Sequence, residues 1–202
     1  MTSIDTPQAS DARLHMLSGK VVDPLNVRAE DVDPDDIARV LPRLPRFNGH
    51  TFGDPISVAA HVLLVAYLSE NAGPREQFKT LTRWCLAHDF HEVWFGDIPG
   101  PVRRAFGIDA AEERAMQAVA QRFSLPWPMP ELVHMFDRDA LVIEWRVYRD
   151  ELPLPKRYRS SPFATARRSE LIELLYRARF PVSETEARHS LLRRMKDLGF
   201  RR

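Results

Sequence analysis

The stretch Ile56-Ser57-Val58-Ala59-Ala60-His61-Val62-Leu63-Leu64-Val65-Ala66-Tyr67-Leu68-Ser69 decides the fold class. It is apolar nearly all round, so as a helix it belongs at the centre of the protein rather than on its surface. Its apolar run, Val58 to Leu68, is interrupted by His61 and is too short to span a bilayer. Asn71-Ala72-Gly73-Pro74 ends it. A second helix follows from about Arg75 to His88, with Leu81, Trp84, Cys85 and His88 on one side by their spacing. Asp89 to Trp94 is expected to continue or cap that helix.

Working outward, Asp33-Pro34 reads as an N-cap with proline at the first helical position, opening a short helix to about Leu41. Pro42 to His50 is a loop, because two prolines and a glycine interrupt it. Val21, Val22, Pro24 and Leu25 suggest an anchored strand or turn. Downstream, Gly96-Asp97-Ile98-Pro99-Gly100-Pro101 forces a turn. Helices are expected over Pro101–Phe106, over Asp109–Phe123 with Asp109 as cap, and over Glu131–Arg149 beyond the rigid linker Leu125–Pro130. After Leu152-Pro153-Leu154-Pro155 come Phe163–Arg179 and a helix opened by the capping box Ser183-Glu184-Thr185-Glu186. Leu171, Leu174 and Leu175 form one apolar stripe; Leu191, Leu192, Met195 and Leu198 form another. No strand ladder is evident, and the fold class is all-α.

The length of 202 residues fits one domain, or one domain with an appendage. Cys85 alone makes no internal disulfide, which favours a reducing compartment. Met1–Ser10 has neither a basic start nor an apolar core, so it is not read as a signal peptide. The net charge of +1 conceals a division. Residues 1–155 carry 16 basic and 23 acidic side chains, a balance of −7; residues 156–202 carry 13 and 5, a balance of +8. The boundary coincides with the Pro-rich linker, so the chain divides into a body, 1–155, and a basic helical extension, 156–202. The extension reads first as a docked hairpin with a solvated basic face. Bridging to the acidic body of another subunit, or contact with polyphosphate or nucleic acid, are its alternatives.

Polar groups fall where an ordinary core avoids them. His61 lies in the most apolar helix, and an unpaired buried imidazole costs about 1–3 kcal/mol, so it needs a partner. His88-Asp89 ends a second apolar helix, and Asp137 lies on the helix after the Pro-rich linker. Two imidazoles and two carboxylates suit Zn, Mn, Fe, Co or Ni. Each residue also has a plainer reading: a hydrogen-bonded core histidine, a chance dipeptide, or a solvated acid with Asp139 as its competitor.

Together these residues resemble the H…HD…D pattern of the HD phosphohydrolase superfamily. They are most similar to its 5′-deoxynucleotidase-like branch and to bacteriophage dATP triphosphohydrolases. The resemblance rests on Arg46-Phe47-Asn48-Gly49-His50-Thr51, on Ser57 to His61, and on His88-Asp89-Phe90-His91-Glu92 through Asp97-Ile98-Pro99 to Arg103. It spans roughly residues 21–149 and leaves the extension outside. It implies an HD-domain helical bundle with His61, His88, Asp89 and Asp137 as ligands of a divalent transition metal. Glu92 and Asp97 would act beside the attacking water, and Arg46, Phe47 and Arg103 would bind substrate. The implied activity is hydrolysis of 2′-deoxynucleotides, as a dNTP triphosphohydrolase with a lean toward dATP, a dNMP 5′-nucleotidase, or both. The alternative is a non-enzymatic nucleotide-sensing or nucleic-acid-associated protein that uses the basic extension. A homo-oligomer in the cytoplasm of a bacterium or a phage-infected host is expected, without membrane or specific nucleic-acid partners.

Two departures from the family pattern carry expectations. Ala60 and Val62 replace a glutamate and a small polar residue, which would remove a contact that orients the His61 ring. Phe90 and His91 replace small residues and would crowd the floor of the site.

Overall fold

Helix α2, Val58–Glu70, runs through the centre of the protein, as its all-round apolarity requires; Val58, Ala59, Ala60, His61, Val62 and Val65 are all fully buried. The Ser57 hydroxyl caps it by accepting the Ala60 N–H at 3.2 Å. The computed structural model describes residues 13–73 and 75–200. The arm before residue 13, with its signal-peptide reading, the Pro74 helix stop and the last two arginines lie outside them.

The described residues form an all-α protein with one small addition. Strands β1, Leu14–His15, and β2, Val21–Val22, pair antiparallel with Leu14 opposite Val22, so the expected strand or turn at Val21 is a two-residue strand. Helix α1, Pro34–Val40, starts where the Asp33 carboxylate accepts the Asp35 N–H at 2.9 Å. α3 spans Arg75–Ala87, α4 Glu92–Phe95, α5 Gly100–Phe106 and α6 Asp109–Arg122. α7 spans Glu131–Tyr148, α8 Arg168–Arg177 and α9 Glu184–Asp197. Around α2 pack α3, α7 and α9. None of the described helices is long and apolar enough to cross a membrane.

Three boundaries differ from the sequence reading. α3 does not run on to Trp94. It ends at Ala87, and the chain from His88 tightens into N–H bonds to the third residue back: Phe90 to Ala87, Glu92 to Asp89, Val93 to Phe90 and Trp94 to His91. Asp109 does not cap α6 but is its first helical residue, with its carboxylate turned to Arg103. α8 starts at Arg168 rather than Phe163, because the Glu170 carboxylate accepts the Arg167 N–H at 3.0 Å and fixes the start there. At α9 the Ser183 hydroxyl accepts the Glu186 N–H as expected, but Glu186 reaches the Val182 N–H instead of that of Ser183.

The basic extension packs into the body. α8 lies on α7, and α9 lies on α2 and α1. Leu171, Leu175, Ala187, Leu191, Met195 and Phe200 are buried in the same core as α2. Phe200 closes a ring cluster with Phe90 and Phe123, at centroid distances of 5.7 and 4.9 Å. Since the extension shares the core, Leu191→Ala is expected to cost about 2–5 kcal/mol of whole-chain stability. The check is urea unfolding: one transition with a lower midpoint and unchanged slope is expected. An early separate transition for the last helices would contradict a shared core.

Candidate metal centre and its pocket

The four expected ligands come from two helices and from the turn that follows a third. His61 is on the second turn of α2, His88-Asp89 lies where α3 gives way to the tight turns, and Asp137 is on the second turn of α7. His61 Nε2 stands 3.0 Å from Asp137 Oδ1 and 3.6 Å from Asp89 Oδ2. His88 Nε2 stands 3.2 Å from Asp89 Oδ2 and 3.8 Å from Asp137 Oδ1. Donor atoms of His61, His88 and Asp137 lie within 4.8 Å of one another. Ligand bonds of about 2.0–2.2 Å place two donors on one ion no more than about 4.4 Å apart, so small adjustments suffice. Asp139 points elsewhere: it lines a separate cavity with Phe136 and Phe163, and so is not the competitor the sequence allowed.

The far sides of both rings explain what the near sides need. His61 Nδ1 lies 2.8 Å from Glu144 Oε1 and His88 Nδ1 lies 2.8 Å from the Cys85 carbonyl oxygen, both acceptors. A neutral ring with its proton on Nδ1 turns a lone pair at Nε2 toward the Asp89 and Asp137 carboxylates. Lone pairs facing carboxylates repel unless a cation lies between them. His88 Nε2 is buried and has no hydrogen-bond partner. Without a metal, only protons can answer. Burial disfavours a charged His61, and Arg46 adds to that, yet Glu144 and Asp137 outweigh both and hold its pKa above the ordinary value. For His88, burial is likewise outweighed by Asp89 and Asp137, which raise its pKa well above the usual range. Burial alone would raise the acids, but His88 and His61 hold Asp89 low, and the hydrogen bond with His61 together with the nearby His88 ring holds Asp137 well below the usual carboxylate range. The donor set fits a divalent transition metal.

Glu144 was not anticipated. It replaces the orienting contact expected to be lost at Ala60, so His61 is held after all. Glu144 is fully buried on α7, two turns after Asp137 on the same helical face, and its Oε2 lies 3.6 Å from Arg46 Nε. The signal was present as an acid in the apolar run Leu141-Val142-Ile143-Glu144-Trp145. Partners that orient a metal-ligating histidine typically change metal affinity 10–100-fold when removed. Glu144→Gln is expected to weaken metal binding by about that factor, read by titrating metal into the metal-free protein. An unchanged affinity would reduce Glu144 to a packing role.

Glu92 and Asp97 face the same point from the tight turns. Glu92 sits one tightened turn after Asp89, is buried, and its Oε2 has no hydrogen-bond partner. Burial, then the nearby charges of Asp89 and Asp97, raise its pKa well above the usual carboxylate range. Asp97 is raised by burial and by Asp89, against the pull of Arg46. Its Oδ2 accepts the Phe47 N–H at 2.9 Å and its Oδ1 lies 3.5 Å from Arg46 Nη1. Gly96, at φ +76°, gives the turn between them a backbone that other residues rarely adopt.

The Arg46 loop is pinned by backbone bonds from Arg46 N–H to the Ile56 carbonyl at 2.8 Å and from Val58 N–H to that of Leu44 at 2.9 Å. Phe47 and Asn48 both adopt positive φ, a conformation that persists for such residues only when neighbours enforce it. The Asp97 carboxylate on the Phe47 N–H is one such neighbour. Arg46 is buried, 3.7 Å from Asp89 as well as beside Asp97 and Glu144, so its charge offsets the acidic floor. The carboxylates around it hold its pKa above the ordinary value against burial. Arg103 also reaches the site but is already paired, at 3.2 Å to both Asp109 and Glu112.

These groups line a cavity of about 630 Å³ whose floor includes Asp89, Glu92, Asp97 and Asp137. Its wall adds Trp145, edge-on to Phe47 at 6.1 Å, and residues missed in the sequence: Arg104, Arg149, Arg157 and Tyr158. The expected crowding by Phe90 does not occur. Its ring is fully buried in the cluster with Phe123 and Phe200, and the chain tightens after Ala87 to place it there. His91 is also buried; burial, with His88 and Arg103, lowers its pKa to about 4, so it is neutral at pH 7.

The sequence is 36% identical over 143 residues to the uncharacterized protein RCAP_rcc00048 of Rhodobacter capsulatus, an alignment covering 68% of this chain and 71% of that one. No family model matches.

Proposed function

The chain belongs to one family with the Rhodobacter capsulatus protein, and we propose that it is a metal-dependent phosphohydrolase of the HD-domain type acting on 2′-deoxynucleotides. The observation that carries this reading is the convergence of His61, His88, Asp89 and Asp137 next to a pocket whose lining includes Asp89, Asp137, Glu92 and Arg46. The order in which α2, the end of α3 and α7 supply the four ligands supports the HD resemblance. The choice of a deoxynucleotide, with a lean toward dATP, rests on the Arg46–Thr51 and His88–Arg103 stretches.

A divalent ion held by these four side chains would acidify water and polarise a phosphoryl oxygen. The protein's own groups divide the remaining work. Glu92, unpartnered and with raised proton affinity, accepts the proton of the attacking water and returns one to the leaving oxygen. Asp97 is committed to the Phe47 N–H and to Arg46, so it positions the Arg46 loop rather than moving a proton. Arg46 places fixed positive charge beside the reacting phosphate, where a dry, preorganised cation is most effective. Phe47, which the resemblance places against the nucleoside, stands edge-on to Trp145, and both rings carry the Arg149 guanidinium. A panel of deoxy- and ribonucleotides with Mn, Co, Zn, Fe and Ni, products resolved by chromatography, tests the assignment. Release of phosphate from a deoxynucleoside monophosphate, or of triphosphate from a triphosphate, is expected; release from no nucleotide with any metal would overturn it.

A further inference from the structure

Five guanidiniums line the pocket, and they are of two kinds. Arg46 and Arg103 are each within ion-pair distance of two or more carboxylates. Arg104, Arg149 and Arg157 have no carboxylate within 4 Å among the described residues, although they line the same cavity. Two of the three are pre-oriented by aromatic rings. The Arg149 guanidinium carbon lies 4.1 Å from the Trp145 ring centroid and 4.9 Å from that of Phe47, and Arg149 Nε is shielded from solvent without a hydrogen-bond partner. Arg157 stacks 4.7 Å over Tyr158. A stacked guanidinium keeps its edge donors available and loses less freedom on binding an anion.

We propose that Arg104, Arg149 and Arg157 form a second anion subsite in this pocket that holds the outer phosphates of a polyphosphorylated ligand. The inference rests on the reading that the pocket takes a phosphorylated ligand. The carboxylates of Asp89, Glu92, Asp97 and Asp137 at the floor repel an anion, so phosphate charge in this pocket is answered by the cations that no carboxylate already pairs. Each further phosphate brings negative charge and acceptor oxygens, the partners that unpaired guanidiniums lack. Arg157 and Tyr158 lie beyond Pro155, so the basic extension contributes directly to the pocket.

Calorimetric titration of the metal-free, full-length protein with inorganic tripolyphosphate and with orthophosphate tests the subsite. Tripolyphosphate is expected to bind more tightly than orthophosphate. Arg149→Gln and Arg157→Gln are each expected to weaken tripolyphosphate about tenfold, and to weaken orthophosphate, which engages fewer of the three cations at once, by less. Arg159→Gln, in the same exposed basic segment but outside the pocket lining, is the control and is expected to change neither. Equal binding of the two anions, or an Arg159→Gln effect as large as that of Arg157→Gln, would overturn the proposal. The outcome separates from that of the hydrolase reading. A protein that binds tripolyphosphate as described but turns over no nucleotide keeps the subsite and loses the activity; an active enzyme whose tripolyphosphate binding ignores both substitutions loses the subsite.

Discussion

His88→Ala and Asp89→Ala are each expected to abolish metal retention and turnover together, with activity falling by about 10³-fold or more, since the ion's contribution is several kcal/mol. Each substitution removes one of four donors and also leaves charge without its partner. Without His88, Asp89 and Asp137 share only His61 as a donor partner, although Arg46 still stands 3.7 Å from Asp89; without Asp89, the two imidazoles keep only Asp137 on their Nε2 side. Metal content per chain after dialysis and initial rate are measured on the same samples. Loss of rate with full metal content would move these residues away from the ion. Retention of both would remove them from the site.

Glu92→Gln is expected to act differently: kcat falls by about 10²–10⁴, while metal content and KM stay close to those of the parent. The pH behaviour supplies an independent sign. The raised pKa of Glu92 means that its proton contributes stability below the ordinary glutamate value of 4.5, and that this contribution is lost as pH rises through the higher folded value. Glutamine carries no charge to bury. The metal-free variant is therefore expected to melt at a higher temperature than the parent at pH 8, with the difference shrinking toward pH 4. A variant less stable than the parent at pH 8 would mean that Glu92 is held by a stabilising partner rather than poised as a proton carrier.

Much of this was legible because local chemistry and burial agreed. Asp33 and Ser183 announce helix starts, and the apolarity of Val58–Leu68 announces the central helix. The polar residues that interrupt apolar helices are the ones the fold gathers. What stayed hidden depended on contacts distant in sequence. The turn after Ala87 follows from burying Phe90 against Phe123 and Phe200, rings 33 and 110 positions away in the chain. The role of Glu144 required knowing that α7 packs along α2 with Asp137 and Glu144 both turned to His61. The left-handed backbone at Phe47 and Asn48 is enforced by Asp97, fifty residues from Phe47. Arg157 reaches the pocket only because the extension folds back on the body, which charge counting separated into −7 and +8 parts.

A metal ion at the His61–His88–Asp89–Asp137 cluster is tested most directly by titrating Mn or Co into the metal-free protein at pH 6 and pH 8. Binding must displace protons that the two imidazoles hold above their ordinary range. The expected result is one ion per chain, proton release on binding, tighter binding at pH 8 than at pH 6, and no saturable binding in His88→Ala. The contradicting result is no saturable binding in the parent protein, or binding that His88→Ala leaves intact.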